Sequence, residues 1–126
     1  MATAPMNGRH LLYDAWTERT ECLCGVPAWR ALLVQAATAA GATVVGTQFK
    51  AFEGGGLTGV VLLAESHLSV HTWPEEGFVA LDCFTCGHMD PHLIVERVRR
   101  YLEPTQEAVS VVRRGHPEGL RTPSRS

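Results

Sequence analysis

Only two segments of this chain repeat their apolar residues at helical spacing, and the other apolar segments are short and rich in β-branched or aromatic residues. The first helical segment follows Pro27, which the first turn of a helix tolerates, and it ends at Gly41. The second begins at Asp90-Pro91, where the aspartate can cap the helix, and it ends before Pro104. We therefore predict two helices, with a sheet built from the remaining segments.

Six segments have the composition of β-strands. They cover residues 10–16, 43–52, 59–65, 68–73, 78–84 and 108–112. A four-residue hairpin turn, Pro74 to Gly77, joins the fourth segment to the fifth. This order predicts an α+β fold, an antiparallel sheet with both helices packed on one face as a two-layer sandwich. Because the other face of so small a sheet needs a cover, we also predict a homodimer.

The bulk composition is that of a single globular domain over residues 1–126, with 45% apolar and 19% charged residues. A net charge of -2 gives no reason to expect a nucleic acid or a membrane surface as partner, and no apolar run approaches the roughly 20 residues of a membrane span. Residues 1–8 lack the pattern of a secretory signal, so we expect a cytoplasmic protein whose four cysteines are free thiols. We expect residues 115–126 to be a disordered tail.

One stretch, residues 65–75, concentrates two serines, two histidines and two carboxylates in an otherwise apolar chain. Ser66 is a candidate nucleophile, because His71 lies five positions on, across a possible turn, and an imidazole can accept a hydroxyl proton. The stretch lacks the Gly-x-Ser-x-Gly pattern of many serine hydrolases, and no third member of a triad stands out. The residues alone therefore leave the chemistry of Ser66 open.

The four cysteines offer a second reading. Cys22-x-Cys24 and Cys83-x-x-Cys86 together could supply four zinc ligands, although the first spacing is shorter than the usual two-residue gap. From the residues alone, a small buried apolar side chain is the favoured interpretation of Cys86.

The exact order of residues in the reactive stretch is more informative than its composition. The run Ala64-Glu65-Ser66-His67-Leu68-Ser69-Val70-His71-Thr72-Trp73-Pro74-Glu75, followed by Leu81-Asp82-Cys83-Phe84-Thr85-Cys86-Gly87, resembles the prokaryotic S-adenosylmethionine decarboxylase proenzymes. The resemblance extends from residue 8 to about residue 112. It implies self-cleavage between Glu65 and Ser66 into a β chain of residues 1–65 and an α chain of residues 66–126. Ser66 would thereby become a pyruvoyl group, the built-in cofactor, which forms a Schiff base with the substrate amine.

The resemblance also implies roles for other residues. His71 matches the histidine that removes the α-proton of Ser66 during processing, and Thr58 stands where the family usually has a serine that assists this step. Cys86 matches the proton donor of the decarboxylation. The implied product is decarboxylated S-adenosylmethionine, the aminopropyl donor for spermidine, and no metal is expected.

For the substrate, Phe52 matches an aromatic residue that stacks on the adenine ring, and Glu75 matches a carboxylate that binds the ribose hydroxyls. Trp73 is expected to form a wall of the pocket. Two simpler interpretations remain open. Phe52 could be an ordinary core residue, and Glu75 could be an ordinary turn residue.

Residues 49–60 depart from the family's pattern. Lys50 replaces a histidine, and the run Gly54-Gly55-Gly56, predicted here as a flexible turn, replaces a turn with proline. Since this segment borders the substrate pocket in the family, arginine or ornithine remains an alternative substrate, with Glu53 as a conceivable recognition charge. A more distant alternative is an unprocessed binding paralogue, against which the intact Glu65, Ser66, His71 and Cys86 argue.

Overall fold

The computed structural model describes residues 7–116 and 121–123, so the predicted disordered tail falls largely outside the described residues. Within these residues the chain forms two helices and six strands, together with two short 3-10 turns at Thr20–Leu23 and Pro74–Glu76. The elements in chain order are β1 (Gly8–Trp16), α1 (Val26–Ala39), β2 (Val44–Ala51), β3 (Leu57–Leu63), β4 (His67–Trp73), β5 (Phe78–Cys86), α2 (Pro91–Leu102) and β6 (Gln106–Arg114).

All six strands form one antiparallel sheet in the order β2-β3-β4-β5-β1-β6. Helix α1 packs on β2 and β3, α2 packs on β5 and β1, and the two helices contact each other. The predicted α+β sandwich with both helices on one face is therefore confirmed. No helix in the described part of the chain is both long and apolar enough to cross a membrane.

The helix ends follow the sequence signals closely. At the end of α1, Gly41 takes a φ of +92°, its N–H donates to the Thr38 carbonyl at 3.0 Å, and the Ala42 N–H donates to the Ala37 carbonyl at 2.9 Å. This pair of bonds is the Schellman arrangement, which satisfies carbonyls that the last helical turn leaves open. At the start of α2, the Asp90 side chain accepts a backbone N–H of the first turn at 2.9 Å.

Alternate residues of the central strands are buried beneath the helices, as the period of two requires. Tyr13 on β1 and Trp29 on α1 are fully buried there. The Trp29 indole N–H donates to the Cys22 carbonyl at 2.8 Å, which ties the first 3-10 turn to the core. Cys22 and Leu23 are buried in that turn, although residues 17–25 look polar and turn-like in the sequence. The charged residues around Cys22 and Leu23 make the segment look exposed in the sequence, so composition alone does not predict that these two residues are buried.

The opposite surface of the sheet, here called the open face, carries polar and aromatic side chains. Trp16, Phe78, Trp73 and His71 form a row across β1, β5 and β4, with successive ring centroids 5.0, 5.3 and 6.0 Å apart. Asp82 accepts from the Ser69 hydroxyl at 3.2 Å and lies 3.1 Å from the His10 ring nitrogen. Neither helix covers this face, as expected, since both pack on the other side of the sheet.

Two buried threonines on the helix-covered face differ in their hydrogen bonds, and this difference gives a test of the fold. The Thr72 hydroxyl donates to the Leu23 carbonyl at 2.7 Å and accepts from the Leu57 N–H at 3.1 Å. The Thr85 hydroxyl is fully buried and has no hydrogen-bond partner among the described residues.

We expect Thr72→Val to lower the free energy of unfolding by about 2 kcal/mol, because two buried backbone groups lose their partner. Thr85→Val should leave it unchanged or raise it by up to about 1 kcal/mol.

Urea unfolding followed by tryptophan fluorescence measures both variants, and Thr72→Ser serves as the control that keeps the hydroxyl. Equal losses in the two valine variants would contradict the hydrogen-bond assignment.

Candidate active site

The Glu65–Ser66 peptide bond lies at the tip of a tight hairpin. Ala64 and Glu65 are the two turn residues between β3 and β4, because Leu63 and Ser66 exchange both backbone hydrogen bonds at 2.9 and 3.4 Å. The Ala64 N–H donates to the Thr43 carbonyl at 3.0 Å, which fixes the turn against the start of β2. The sequence predicted that the strand would run on through Glu65; it ends at Leu63 instead. The bond is thus presented on an exposed loop tip instead of inside the sheet.

Cys86, the last residue of β5, reaches this hairpin. Its thiol donates to the Glu65 carbonyl oxygen at 3.6 Å, a distance suited to a sulfur donor. Ser66, Cys86 and the segment 41–43 line one cavity with His88 and Met89. A donor on this oxygen can stabilise the negative charge that develops there when a nucleophile attacks the carbonyl carbon. We call Glu65, Ser66 and Cys86 the cleavage cluster.

Five other residues predicted from the sequence meet in a separate cavity. Thr58 and His71 lie directly opposite each other in the β3–β4 register, and a hydrogen bond of 3.0 Å joins the Thr58 hydroxyl to Nδ1 of His71. Phe52, Trp73 and Glu75 line the same cavity. We call these five residues the histidine cluster. It combines a base, an aromatic face and a carboxylate within one concave site.

Within one chain the two clusters are far apart. The cleavage cluster lies at the end of the sheet where β3 leaves and β4 begins, whereas the histidine cluster lies toward the other end of the same two strands. The sequence placed a possible turn between Ser66 and His71, and this is wrong, because β4 is continuous from His67 to Trp73. Five residues of extended strand span about 16 Å, so His71 cannot contact Ser66 of its own chain.

Two of the three glycines at the edge of the histidine cluster, Gly55 and Gly56, are packed against other segments. The Phe52 N–H donates to the Gly56 carbonyl at 2.8 Å, and the Gly55 N–H donates to the Phe52 carbonyl at 3.1 Å. Gly55 has a φ of +96°, and a Cβ there would lie 2.7 Å from the Cys24 sulfur. A Cβ on Gly56 would lie 2.8 Å from the Thr72 carbonyl oxygen. The glycines permit close backbone approach, and this fixes Phe52 beside the cavity.

Cys24 and Thr72 are site residues that sequence reasoning missed. Thr72 bridges Leu57, which follows the glycine run, and Leu23, which precedes Cys24, through the two hydrogen bonds of its hydroxyl. Three successive glycines are a signal of close approach, but the sequence gives no indication of which segment approaches them.

The cysteines do not form one metal site. Cys24 packs beside the glycine run near the histidine cluster, whereas Cys86 belongs to the cleavage cluster at the opposite end of the sheet. Cys83 is fully buried in the core, where burial and then the nearby Asp82 charge raise the pKa of its thiol to about 12. Among the described residues, no three or more potential ligands are grouped for a metal ion. The zinc reading is therefore not supported.

Comparison with known proteins shows the family to which the chain belongs. A family model described as S-adenosylmethionine decarboxylase matches residues 9–115. An S-adenosylmethionine decarboxylase proenzyme of Methanococcus maripaludis is 38% identical over 109 residues, which are 86% of this chain and 89% of that protein. A proenzyme of the same name from Symbiobacterium thermophilum is 42% identical, over 86% of this chain and 83% of its own length. The chain belongs to the S-adenosylmethionine decarboxylase family.

Two solved structures of S-adenosylmethionine decarboxylases superimpose on this fold. The crystal structure of the adenosylmethionine decarboxylase from Aquifex aeolicus superimposes with a TM-score of 0.81 at 33% identity, covering 95% of this chain and all of that one. A Trypanosoma brucei AdoMetDC monomer superimposes with a TM-score of 0.63 at 15% identity, over 83% of this chain and 45% of its own length. At that identity the second likeness concerns the fold alone.

Proposed function

We propose that this chain cleaves itself between Glu65 and Ser66 and then decarboxylates S-adenosylmethionine, yielding carbon dioxide and the decarboxylated aminopropyl donor used for spermidine. The observation that carries the proposal is the Cys86 thiol donating to the carbonyl oxygen of Glu65, in the hairpin that exposes the bond to be cut. Family membership supports the same conclusion.

Cleavage begins with the Ser66 hydroxyl oxygen attacking the Glu65 carbonyl carbon. The carbon–nitrogen bond breaks, the hydroxyl proton passes to the released amine, and an ester joins the two halves of the chain. The Cys86 thiol stabilises the negative charge on the carbonyl oxygen during the attack, because it already donates to that atom. The exposed turn gives the step room, and the nitrogen of the bond to be cut is held only by the hydrogen bond that closes the hairpin, from the Ser66 N–H to the Leu63 carbonyl at 3.4 Å.

The ester is then opened by elimination. A base removes the Cα proton of Ser66, the Cβ–oxygen bond breaks, and Glu65 leaves as the carboxylate end of residues 1–65. Hydrolysis of the resulting dehydroalanine releases ammonia and leaves a pyruvoyl group on residue 66. His71 is the base we assign, held by its hydrogen bond to Thr58. When present, the pyruvoyl group supplies an electron sink for decarboxylation.

Substrate recognition falls to the histidine cluster. Phe52 is 52% exposed and offers a flat apolar face to a purine, while Glu75 offers two oxygens to the two hydroxyls of a ribose. Trp73 forms a wall of the same cavity, and the His71 ring stacks on it with the ring centroids 6.0 Å apart. Cys86 is the proton donor that we assign to the carbon left after loss of carbon dioxide.

Cleavage and substrate choice can be tested together. We expect the purified protein to give two masses, for residues 1–65 and for pyruvoyl-terminated residues 66–126, and to release carbon dioxide from S-adenosylmethionine but not from arginine or ornithine. Ser66→Ala should remain full length and inactive, and Cys86→Ala should cleave more slowly and decarboxylate poorly. Denaturing mass spectrometry and radiometric carbon dioxide release provide the measurements. If the wild-type protein keeps its full-length mass, the proposal of a self-cleaving enzyme is wrong. If carbon dioxide is released from arginine alone, the proposal of S-adenosylmethionine as substrate is wrong.

Because Ser66 and His71 lie about 16 Å apart in one chain, we further propose that two copies share each active site. The open face, with its row of aromatic rings, is the surface through which two copies stack. A two-fold axis between the stacked sheets, perpendicular to the strands, would bring the cleavage cluster of one copy over the histidine cluster of the other. Each dimer would then contain two equivalent sites.

Co-expression of two inactive variants tests this arrangement. We expect His71→Ala and Ser66→Ala each to form no pyruvoyl chain alone, because each lacks one half of every site. Together they should yield a pyruvoyl chain made only from the His71→Ala copy, in about half of those copies if pairing is random. Mass spectrometry distinguishes the copies.

The control replaces Ser66→Ala with the double variant Ser66→Ala/His71→Ala, which supplies no histidine and should rescue nothing. Absence of the pyruvoyl chain in the first mixture, with both copies folded and associated, would reject the proposal that His71 of one copy acts on Ser66 of the other.

The packed glycine run predicts a matched pair of binding variants. Gly54 and Gly55 both have a positive φ, of +90° and +96°, but only at Gly55 would a Cβ meet Cys24. Gly55→Ala should therefore displace Phe52 and raise KM for S-adenosylmethionine about tenfold, equivalent to about 1.4 kcal/mol, with kcat little changed. Gly54→Ala should share the backbone strain but change KM far less.

Adding Cys24→Ala to Gly55→Ala removes the sulfur and should restore most of the affinity. Steady-state kinetics on the cleaved fraction measures all three proteins. Equal KM values for Gly54→Ala and Gly55→Ala would show that the Cys24 contact does not position the pocket.

A further inference from the structure

His67 is the first residue of β4 and follows directly on Ser66. It lies opposite Phe84 in the β4–β5 register, so both side chains are on the same face of the sheet, the open face. Their rings are almost parallel, at 3°, and the ring centroids are 5.8 Å apart. This separation is within the range in which aromatic rings attract each other. The side chain next to the cleavage site therefore packs on the neighbouring strand.

Phe84 is itself held in place by two further contacts. His10 of β1 meets its ring in a T-shaped contact, at 74° and with the ring centroids 5.8 Å apart. The Arg114 guanidinium of β6 lies 5.5 Å from the centre of the same ring. Because three side chains from three strands contact Phe84, its ring has little room to change rotamer. It gives His67 a fixed surface to pack on.

The same ring relates residue 66 to the proton donor of the proposed reaction. Phe84 and Cys86 are two positions apart on β5, so their side chains are on the same face of the sheet. His67 is bonded to residue 66 and stacks on Phe84. The stack thus fixes the position of residue 66 relative to Cys86 through one strand pair.

Cleavage removes other restraints on residue 66. In the uncut hairpin, the peptide bond to Glu65 and two hydrogen bonds exchanged with Leu63 hold Ser66 from the side of β3. The proposed reaction breaks that peptide bond and removes the nitrogen of residue 66, and with it the hydrogen bond that this nitrogen donates. The pyruvoyl group is then covalently joined to His67 alone. Of the two hydrogen bonds, the one from the Leu63 N–H, 2.9 Å long in the uncut chain, can persist.

We propose that His67 is a positioning residue, whose ring, stacked on Phe84, keeps the pyruvoyl group within reach of Cys86 during decarboxylation. The inference rests on the function proposed above. It assigns no proton transfer to the imidazole, because the contact that fixes the residue is between two rings. A displacement of about 1 Å in a reacting group can cost about a hundredfold in rate. The effect falls on decarboxylation rather than on cleavage, since the uncut hairpin also holds Ser66 from β3.

Substitutions of the two stacked rings test the proposal. We expect His67→Ala to cleave as the wild type does but to lower kcat for S-adenosylmethionine about tenfold, with KM little changed, because the substrate cavity is intact. His67→Phe keeps a flat ring without a titratable nitrogen and should restore most of kcat. Phe84→Leu should cause a similar loss, and combining it with His67→Ala should lower kcat little further, because the two rings act as one unit.

Mass spectrometry measures cleavage, and steady-state kinetics on the cleaved fraction gives kcat and KM. The control is Leu62→Ala, which removes an exposed side chain of β3 opposite His67 and should keep the wild-type kcat. The proposal is overturned by a wild-type kcat in His67→Ala, by a His67→Phe protein as slow as His67→Ala, or by a loss of cleavage equal to the loss of kcat. A wild-type protein that neither cleaves nor releases carbon dioxide would instead reject the proposed function, and this inference with it.

Discussion

The antiparallel register of β3 against β4 is the constraint on which the site depends. One pairing sets Thr58 opposite His71, and the same pairing leaves Ala64 and Glu65 as the two turn residues before Ser66. A slip by one residue would turn every side chain of β4 to the other face and separate the hydrogen-bonded pair. Register is fixed because alternate residues of both strands are buried beneath the helices, so hydrophobic burial on one face determines the chemistry displayed on the other.

The sheet thus has two faces with different tasks. The helix-covered face is apolar and holds the fold together, with Tyr13 and Trp29 fully buried in it. The open face displays the aromatic row and the Asp82 hydrogen bonds without a cover from the helices. A single-layer cover suffices for stability only where the second face is polar or meets another surface. The uncovered aromatic rings favour the second case, in which another copy of the chain supplies the missing layer.

Much of this architecture is predictable from the sequence, because local signals decide it. Pro27, Gly41 and Asp90 mark helix ends through their own backbone preferences, and the order of the elements predicts the sheet with both helices on one side. Contacts between distant segments are different. The contact of Cys24 with Gly55 and that of Cys86 with Glu65 lie at opposite ends of the sheet. Each depends on how the loops at its own end converge, and no local pattern encodes this. The supposed turn between Ser66 and His71 failed for the same reason: a dense run of reactive residues resembles a compact site, although an extended strand holds them apart.

That separation has a consequence for maturation. If the base that opens the Ser66 ester comes from a second copy, a lone chain can form the ester but cannot complete the elimination. The reactive carbonyl then arises only where a substrate cavity already stands over it, because His71 and the Phe52–Glu75 pocket belong to the same cluster. An isolated chain would carry no exposed electrophile to react with cellular amines. If the site is shared between copies as proposed, assembly becomes a condition for producing the cofactor, and the length of one strand is enough to impose it.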